Sequence, residues 1–102
     1  MEKDNHITEV IFKKEKDGEI IAFFPYENAS YGRMLCYVHN GQHNEADYGY
    51  YLECKKASEE EYKNLFDELE NIVGYNLKIA HRINYDRFLV KEVTELWKYH
   101  LM

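Results

Sequence analysis

The amino-acid sequence predicts an α+β fold: an antiparallel sheet of four to five strands with one or two packed helices, in the order ββββαβα. Three observations lead to this prediction. Segments rich in β-branched and aromatic residues flank Asp17-Gly18, which is typical of a β-hairpin. A capping box, Ser58 with Glu61, precedes an apolar stripe at helical spacing. A second such stripe follows Asn84.

The bulk composition indicates one globular domain over residues 1–102, with residues 1–6 as a frayed start. The net charge of −6 disfavours binding to nucleic acid or to an anionic membrane surface. The polar start carries no signal-peptide pattern, and no window is as long as a membrane span. We therefore expect a cytoplasmic protein with Cys36 and Cys54 reduced and serving as core residues.

The first two strands are predicted at Ile7–Lys14 and Glu19–Pro25. Asp17-Gly18 predicts a two-residue type I′ turn between them, a register that places Phe12 opposite Phe23. One face would then carry Val10, Phe12, Ile21 and Phe23, and the other Ile11, Ala22 and Phe24. Because both faces are apolar, both need covering, and one short amphipathic helix cannot cover both. Either the helix that carries Trp97 or a second copy of the chain could cover the rest, and a homodimer is favoured.

The third strand is predicted at Met34–His39, with Met34, Cys36 and Val38 on one side. The polar segment Asn40–Asp47 is predicted to be a loop before a fourth strand at Tyr48–Lys55. An alternative is that Asn40-Gly41 itself forms a tight hairpin turn. The loop is favoured because the residues after Gly41 are poor strand formers.

The first helix begins after Ser58 and is predicted to end at Gly74 in a left-handed conformation. A fifth strand follows at Tyr75–His81, and residues 85–102 form a second helix capped by Asn84. The first helix should bury a stripe of Tyr62, Leu65, Phe66, Leu69, Ile72 and Val73. The second should bury Leu89, Val93, Leu96, Trp97 and His100.

One polar cluster could carry chemistry: His39, Gln42, His43 and Asp47, which lie close together around Gly41. Imidazole and carboxylate groups are ligands for divalent metals. A carboxylate bonded to an imidazole can also orient it as a general base. The third alternative is a loop in which these side chains bond only the local backbone. No cofactor is expected, because the chain contains no glycine-rich phosphate loop and no nucleophile elbow.

Several short motifs are familiar: Thr8-Glu-Val-Ile-Phe12, Ile21-Ala-Phe-Phe-Pro25, Cys36-Tyr, His39-x-Gly-Gln-His43, Ala46-Asp-Tyr48, Glu60-Glu-Tyr62, Leu69-Glu70 and Gly74-Tyr-Asn-Leu-Lys78. Over about residues 7 to 80 the chain resembles a family of short proteins from gut-type bacteria and their mobile elements. The resemblance implies no activity.

Three functional hypotheses follow. The first is a small binding or interaction module with an unidentified protein partner, an accessory protein of a mobile element, that forms a homodimer. The second is a metal- or acid/base-dependent enzyme built on His39, His43 and Asp47. The third is an inhibitor that mimics nucleic acid with the acidic residues between Glu59 and Glu70. The absence of a catalytic signature favours the first.

Overall fold

The structure is a computed structural model that describes residues 6–39 and 42–91. It confirms the α+β class, with a mixed sheet and three helices. The strands are β1 (Thr8–Lys14), β2 (Ile20–Phe24), β3 (Arg33–Val38), β4 (Gln42–Asp47), β5 (Lys55–Lys56) and β6 (Leu77–Ile79). The helices are α1 (Tyr48–Glu53), α2 (Glu59–Glu68) and α3 (residues 85–91), and a π-helical turn (Leu69–Val73) extends α2.

The strands lie in the order β4-β3-β2-β1, and β5 and β6 share the far edge of β1. β5 pairs antiparallel with the end of β1 at Lys13 and Lys14. β6 pairs with the start of β1, from Thr8 to Val10, and runs parallel to it. The sheet is therefore mixed rather than purely antiparallel, because α2 and the π-helical turn carry the chain back over the sheet before β6 begins.

The β1–β2 hairpin has a different register from the predicted one. Phe23 lies opposite Ile11, not Phe12. The Gly18 N–H donates to the Glu15 carbonyl, and among the turn residues only Gly18 has a positive φ, at 90°. A type I′ turn needs two such residues, so this is a three-residue loop with a glycine bulge. The extra residue moves Ile21 and Phe23 to the face of Ile11.

The predicted loop and fourth strand are also wrong. Residues 42–47 form β4, which pairs one for one with β3 from Val38↔Gln42 to Arg33↔Asp47. β3 and β4 therefore form a hairpin in which Val38 and Gln42 are the pair nearest the connection. The alternative of a tight turn at Asn40-Gly41 concerns residues outside the described ones. Tyr48 begins a helix because the Asp47 side chain accepts a hydrogen bond from the Tyr50 N–H at 2.7 Å. This N-cap overrides the strand preference of the tyrosines.

Both faces of the sheet are covered within the described chain, as the apolar pattern requires. One face buries Val10, Phe12, Ala22, Phe24 and Tyr37 against Leu65 and Leu69 of the α2 segment. The opposite face buries Ile11, Ile21, Phe23, Met34 and Cys36 against Tyr51 of α1 and Phe88 of α3. The hairpin faces therefore need no second chain to cover them.

The α2 segment confirms the predicted capping box and the left-handed stop at Gly74. Its apolar stripe is only partly confirmed. Leu65 and Leu69 are fully buried, whereas Ile72 is 80% exposed and Val73 is 40% exposed. The Gly74 N–H donates to the Leu69 carbonyl, five residues back, so the last turn is wider than an α-helical turn. This widening turns the two side chains away from the sheet.

α3 confirms Asn84 as a cap, since its side chain accepts from the Arg87 N–H at 3.2 Å. The predicted stripe is wrong at its start, because Phe88 is the buried residue and Leu89 is 41% exposed. The rest of that stripe lies outside the described residues: Val93, Leu96, Trp97 and His100.

Candidate functional site

Two of the four predicted site residues, His39 and His43, lie at the turn end of the β3–β4 hairpin. His43 stands in β4 directly opposite Tyr37 of β3, so both side chains lie on the face that α2 covers. His39 follows the end of β3. The end of α2 packs over this corner of the sheet and brings a carboxylate to it.

That carboxylate belongs to Glu68, which joins Tyr37 to His39. The Tyr37 hydroxyl donates to Glu68 Oε2, and His39 Nδ1 lies 2.7 Å from Glu68 Oε1. The Tyr37 bond is the main cause of a lowered pKa for Glu68. The same bond, together with burial, raises the pKa of Tyr37 to about 12. Glu68 is thus held as a carboxylate by two donors.

His43 has a separate partner, Tyr75, in the segment after the π-helical turn. His43 Nε2 lies 2.8 Å from the Tyr75 hydroxyl oxygen. Tyr75 stacks on Phe24 with ring centroids 4.9 Å apart, which fixes its position. Burial lowers the pKa of His43 and raises that of Tyr75, so both side chains are neutral at pH 7. We call Tyr37, His39, His43, Glu68 and Tyr75 the His–Tyr cluster.

Asp47 lies at the other end of β4, and Gln42, although next to His43, stands on the alternate side of the strand. The Asp47 carboxylate caps α1, and it orients neither imidazole. Within residues 6–39 and 42–91, no group of three His, Cys, Asp or Glu side chains is placed to hold a metal ion. The structure thus brings His39 and His43 into one cluster but not Gln42 or Asp47.

No sequence motif indicates Tyr37, Glu68 and Tyr75 as site residues. Glu68 is one of the acidic residues between Glu59 and Glu70, but it follows the buried Leu65 by three positions and so lies on the sheet side of α2. The three-residue separation from Leu65 is the sequence signal that could have identified Glu68 as a residue facing the sheet. The Glu68–His39 pair has the carboxylate–imidazole arrangement of a general base. The thiols offer no nucleophile, since burial raises the pKa of Cys36 to about 11.

Other acidic groups of the α2 segment are also bonded within the chain. Lys14 pairs with Glu61 and, with the cap bonds from Ser58, lowers the pKa of Glu61 to about 2. Lys63 lies 3.3 Å from Asp67, and the backbone of β6 bonds Glu70. Carboxylates engaged in this way are less free to imitate a row of phosphates, so the arrangement does not favour the nucleic-acid-mimic hypothesis.

A second feature adjoins the cluster at Tyr75. Beside the exposed Ile72 and Val73 lies a cleft of about 350 Å³. The cleft is lined by His6, Thr8, Glu27, Val73, Gly74, Tyr75 and Asn76. We call Ile72, Val73 and this cleft the π-turn surface. Residue spacing could not identify the π-turn surface, because an α-helical period places Ile72 and Val73 on the buried stripe of α2.

No helix among the described residues is long and apolar enough to cross a lipid bilayer. The resemblance to a family of short bacterial proteins stays a prediction. No known protein family, no curated protein and no solved structure matches this chain.

Proposed function

We propose that the protein is a small protein-interaction module that contacts its partner through the π-turn surface. The observation that carries the proposal is the exposure of Ile72, at 80%, next to Val73 at 40%. Single exposed apolar residues are common and need no explanation. Here two apolar residues that are adjacent in the sequence are both exposed in one turn, and the second of them, Val73, also lines the cleft.

The backbone supports this reading. An α-helical last turn would have directed Ile72 towards the sheet, where the stripe of α2 lies. π-helical turns are rare and occur frequently at functional sites. Full burial of an isoleucine side chain is worth about 1.5–3 kcal/mol. A partner that covers Ile72 would therefore gain about tenfold to a hundredfold in affinity from this side chain.

Charge suggests the chemistry of the partner. The chain carries a net charge of −6, and the Glu27 carboxylate, which lies 3.3 Å from His6 Nε2, lines the cleft. A partner segment with an apolar anchor and neighbouring Lys or Arg residues would match both the apolar rim and the negative potential. An acidic segment would be repelled. The proposed ligand is therefore an apolar and basic stretch of another protein.

Selection from a random-peptide phage library on the immobilised full chain tests the proposal. We expect enriched peptides that combine an apolar anchor with basic residues. Their affinity should fall at least about tenfold for Ile72→Asp. The matched control is Leu52→Asp, because Leu52 is 61% exposed on α1, on the opposite face of the sheet. No enrichment, or equal loss in both variants, would contradict the proposal.

A further inference from the structure

The outer edge of β4 is a place where the sheet can be extended. β4 is the terminal strand of the order β4-β3-β2-β1, and within residues 6–39 and 42–91 no strand pairs with its outer side. Its side chains are exposed at every position except Ala46. The other end of the sheet is occupied by β5 and β6, which are only two and three residues long. β4 is thus the longest open edge in the described part.

Natural sheets usually block such an edge with proline, charged side chains (above all lysine), a bulge or a covering segment. The six residues Gln42–Asp47 include neither proline nor lysine, and their two carboxylates are engaged within the chain: Glu45 accepts from the Ser30 N–H and Asp47 from the Tyr50 N–H. Their pairing with β3 is continuous, without a bulge. An unblocked strand of this length is a template for adding another strand by backbone hydrogen bonds.

Symmetry restricts how a second copy could use this edge. Two identical strands that pair antiparallel are related by a twofold axis. Hydrogen-bonded and non-hydrogen-bonded pairs alternate along an antiparallel ladder. If the twofold axis passed between two consecutive residues, it would make a hydrogen-bonded pair equivalent to the neighbouring non-hydrogen-bonded pair, which is impossible. The axis must therefore pass through a pair in which one residue lies opposite its own copy. The axis is perpendicular to the sheet, so the helix α2 of both copies lies on the same face of the joined sheet.

The longest ladder places the axis at one of the two middle residues of β4, Asn44 or Glu45, and charge distinguishes between them. An axis at Glu45 would place two carboxylates opposite each other, which is unfavourable. An axis at Asn44 places a neutral amide opposite itself and His43 opposite Glu45 of the partner subunit, twice. The Glu45 carboxylate accepts from the Ser30 N–H at 3.0 Å, which holds it near the strand. In the tautomer in which His43 Nε2 accepts from the Tyr75 hydroxyl, Nδ1 carries the ring proton and can donate to the partner's Glu45.

We propose that two copies of the chain join through their β4 strands, antiparallel about a twofold axis at Asn44, to form one continuous sheet. This partner differs from the peptide ligand of the π-turn surface. It also gives the predicted homodimer a different interface, because the hairpin faces are covered within the chain.

Sedimentation analysis of the full chain, without any peptide, tests the proposal. We expect a species of twice the 12.3 kDa chain mass at high micromolar concentration. Asn44→Asp and Asn44→Lys should each weaken dimerisation, by up to about fivefold, because like charges then meet across the axis. An equimolar mixture of these two variants should recover the dimer, since opposite charges meet in the mixed pair.

Asn64→Asp and Asn64→Lys are the matched controls, because Asn64 is exposed on α2 and the charge changes are identical. We expect neither control to change the dimer fraction. A 12.3 kDa monomer at high concentration would overturn the proposal. So would a dimer that is insensitive to both Asn44 variants, or one that the mixture does not recover.

Discussion

His43 Nε2 on β4 lies 2.8 Å from the hydroxyl oxygen of Tyr75, and this contact ties the edge of the sheet to the segment after the π-helical turn. The contact also places a histidine where burial lowers its pKa below the ordinary value of 6.5. The two proposed binding surfaces lie on either side of it. The pH dependence of stability that arises from His43 therefore reports on the packing of β4 against the segment after the π-helical turn.

The first prediction concerns stability at mildly acidic pH. Because the unfolded chain protonates His43 more readily than the folded chain, stability should fall as pH falls through about 6.5. His43→Gln should reduce this slope in thermal melts between about pH 7.5 and about pH 5. His81→Gln, at an exposed histidine, is the control. An unchanged slope in His43→Gln would show that its imidazole is not held as described.

The second prediction concerns alkaline pH. The pKa of Tyr37 is raised from 10.0 to about 12, so its contribution to stability is present below about pH 10 and is lost as pH rises towards 12. Tyr37→Phe should make unfolding less sensitive to pH in this range and should lower stability at neutral pH. Tyr31→Phe, at a residue that is 64% exposed, should change neither. Identical alkaline profiles for all three proteins would argue against the Tyr37–Glu68 bond.

The third prediction separates the cap of α2 from its buried stripe. Ser58→Ala removes the bond that the Ser58 hydroxyl accepts from the Glu61 N–H and should cost about 1 kcal/mol of unfolding free energy. Leu65→Ala opens a cavity at a fully buried position and should cost about 2–5 kcal/mol. Urea denaturation measures both. Equal midpoints for the two variants would mean that the helix phase is wrong.

The fourth prediction concerns metal ions. A metal bound only by the folded state raises the melting temperature by mass action. His39 and His43 are bonded to Glu68 and to Tyr75 respectively. We therefore expect zinc, manganese and magnesium to leave the melting temperature unchanged. A rise with zinc that His43→Ala abolishes would instead establish a metal site at this cluster.

The parts of the fold that were predictable from sequence have local causes. The Ser58 capping box, the stop at Gly74 and the Asn84 cap each depend on side chains and backbone within a few residues. The sides of β3 followed from simple alternation, which placed Met34 and Cys36 together.

The sequence-based predictions are wrong where one extra residue changes the side-chain periodicity of a strand or helix, or where pairing with another strand overrides local secondary-structure propensity. The bulge at Gly18 shifts the hairpin by one residue, and the π-helical turn shifts Ile72 out of the stripe. β4 is a polar edge strand whose pairing with β3 outweighs the weak strand preference of its residues. The partnership of His39 with Glu68, 29 positions away, is a long-range contact with no local sequence signal.

Amide chemical-shift mapping shows directly whether the π-turn surface binds a protein segment. The full chain, labelled with nitrogen-15, is titrated with the peptide that selection enriches most. We expect the largest shifts on residues 69–76 and on Glu27, and we expect Ile72→Asp to remove them. Largest shifts on α3 or on residues 48–53, with 69–76 unmoved, would contradict it.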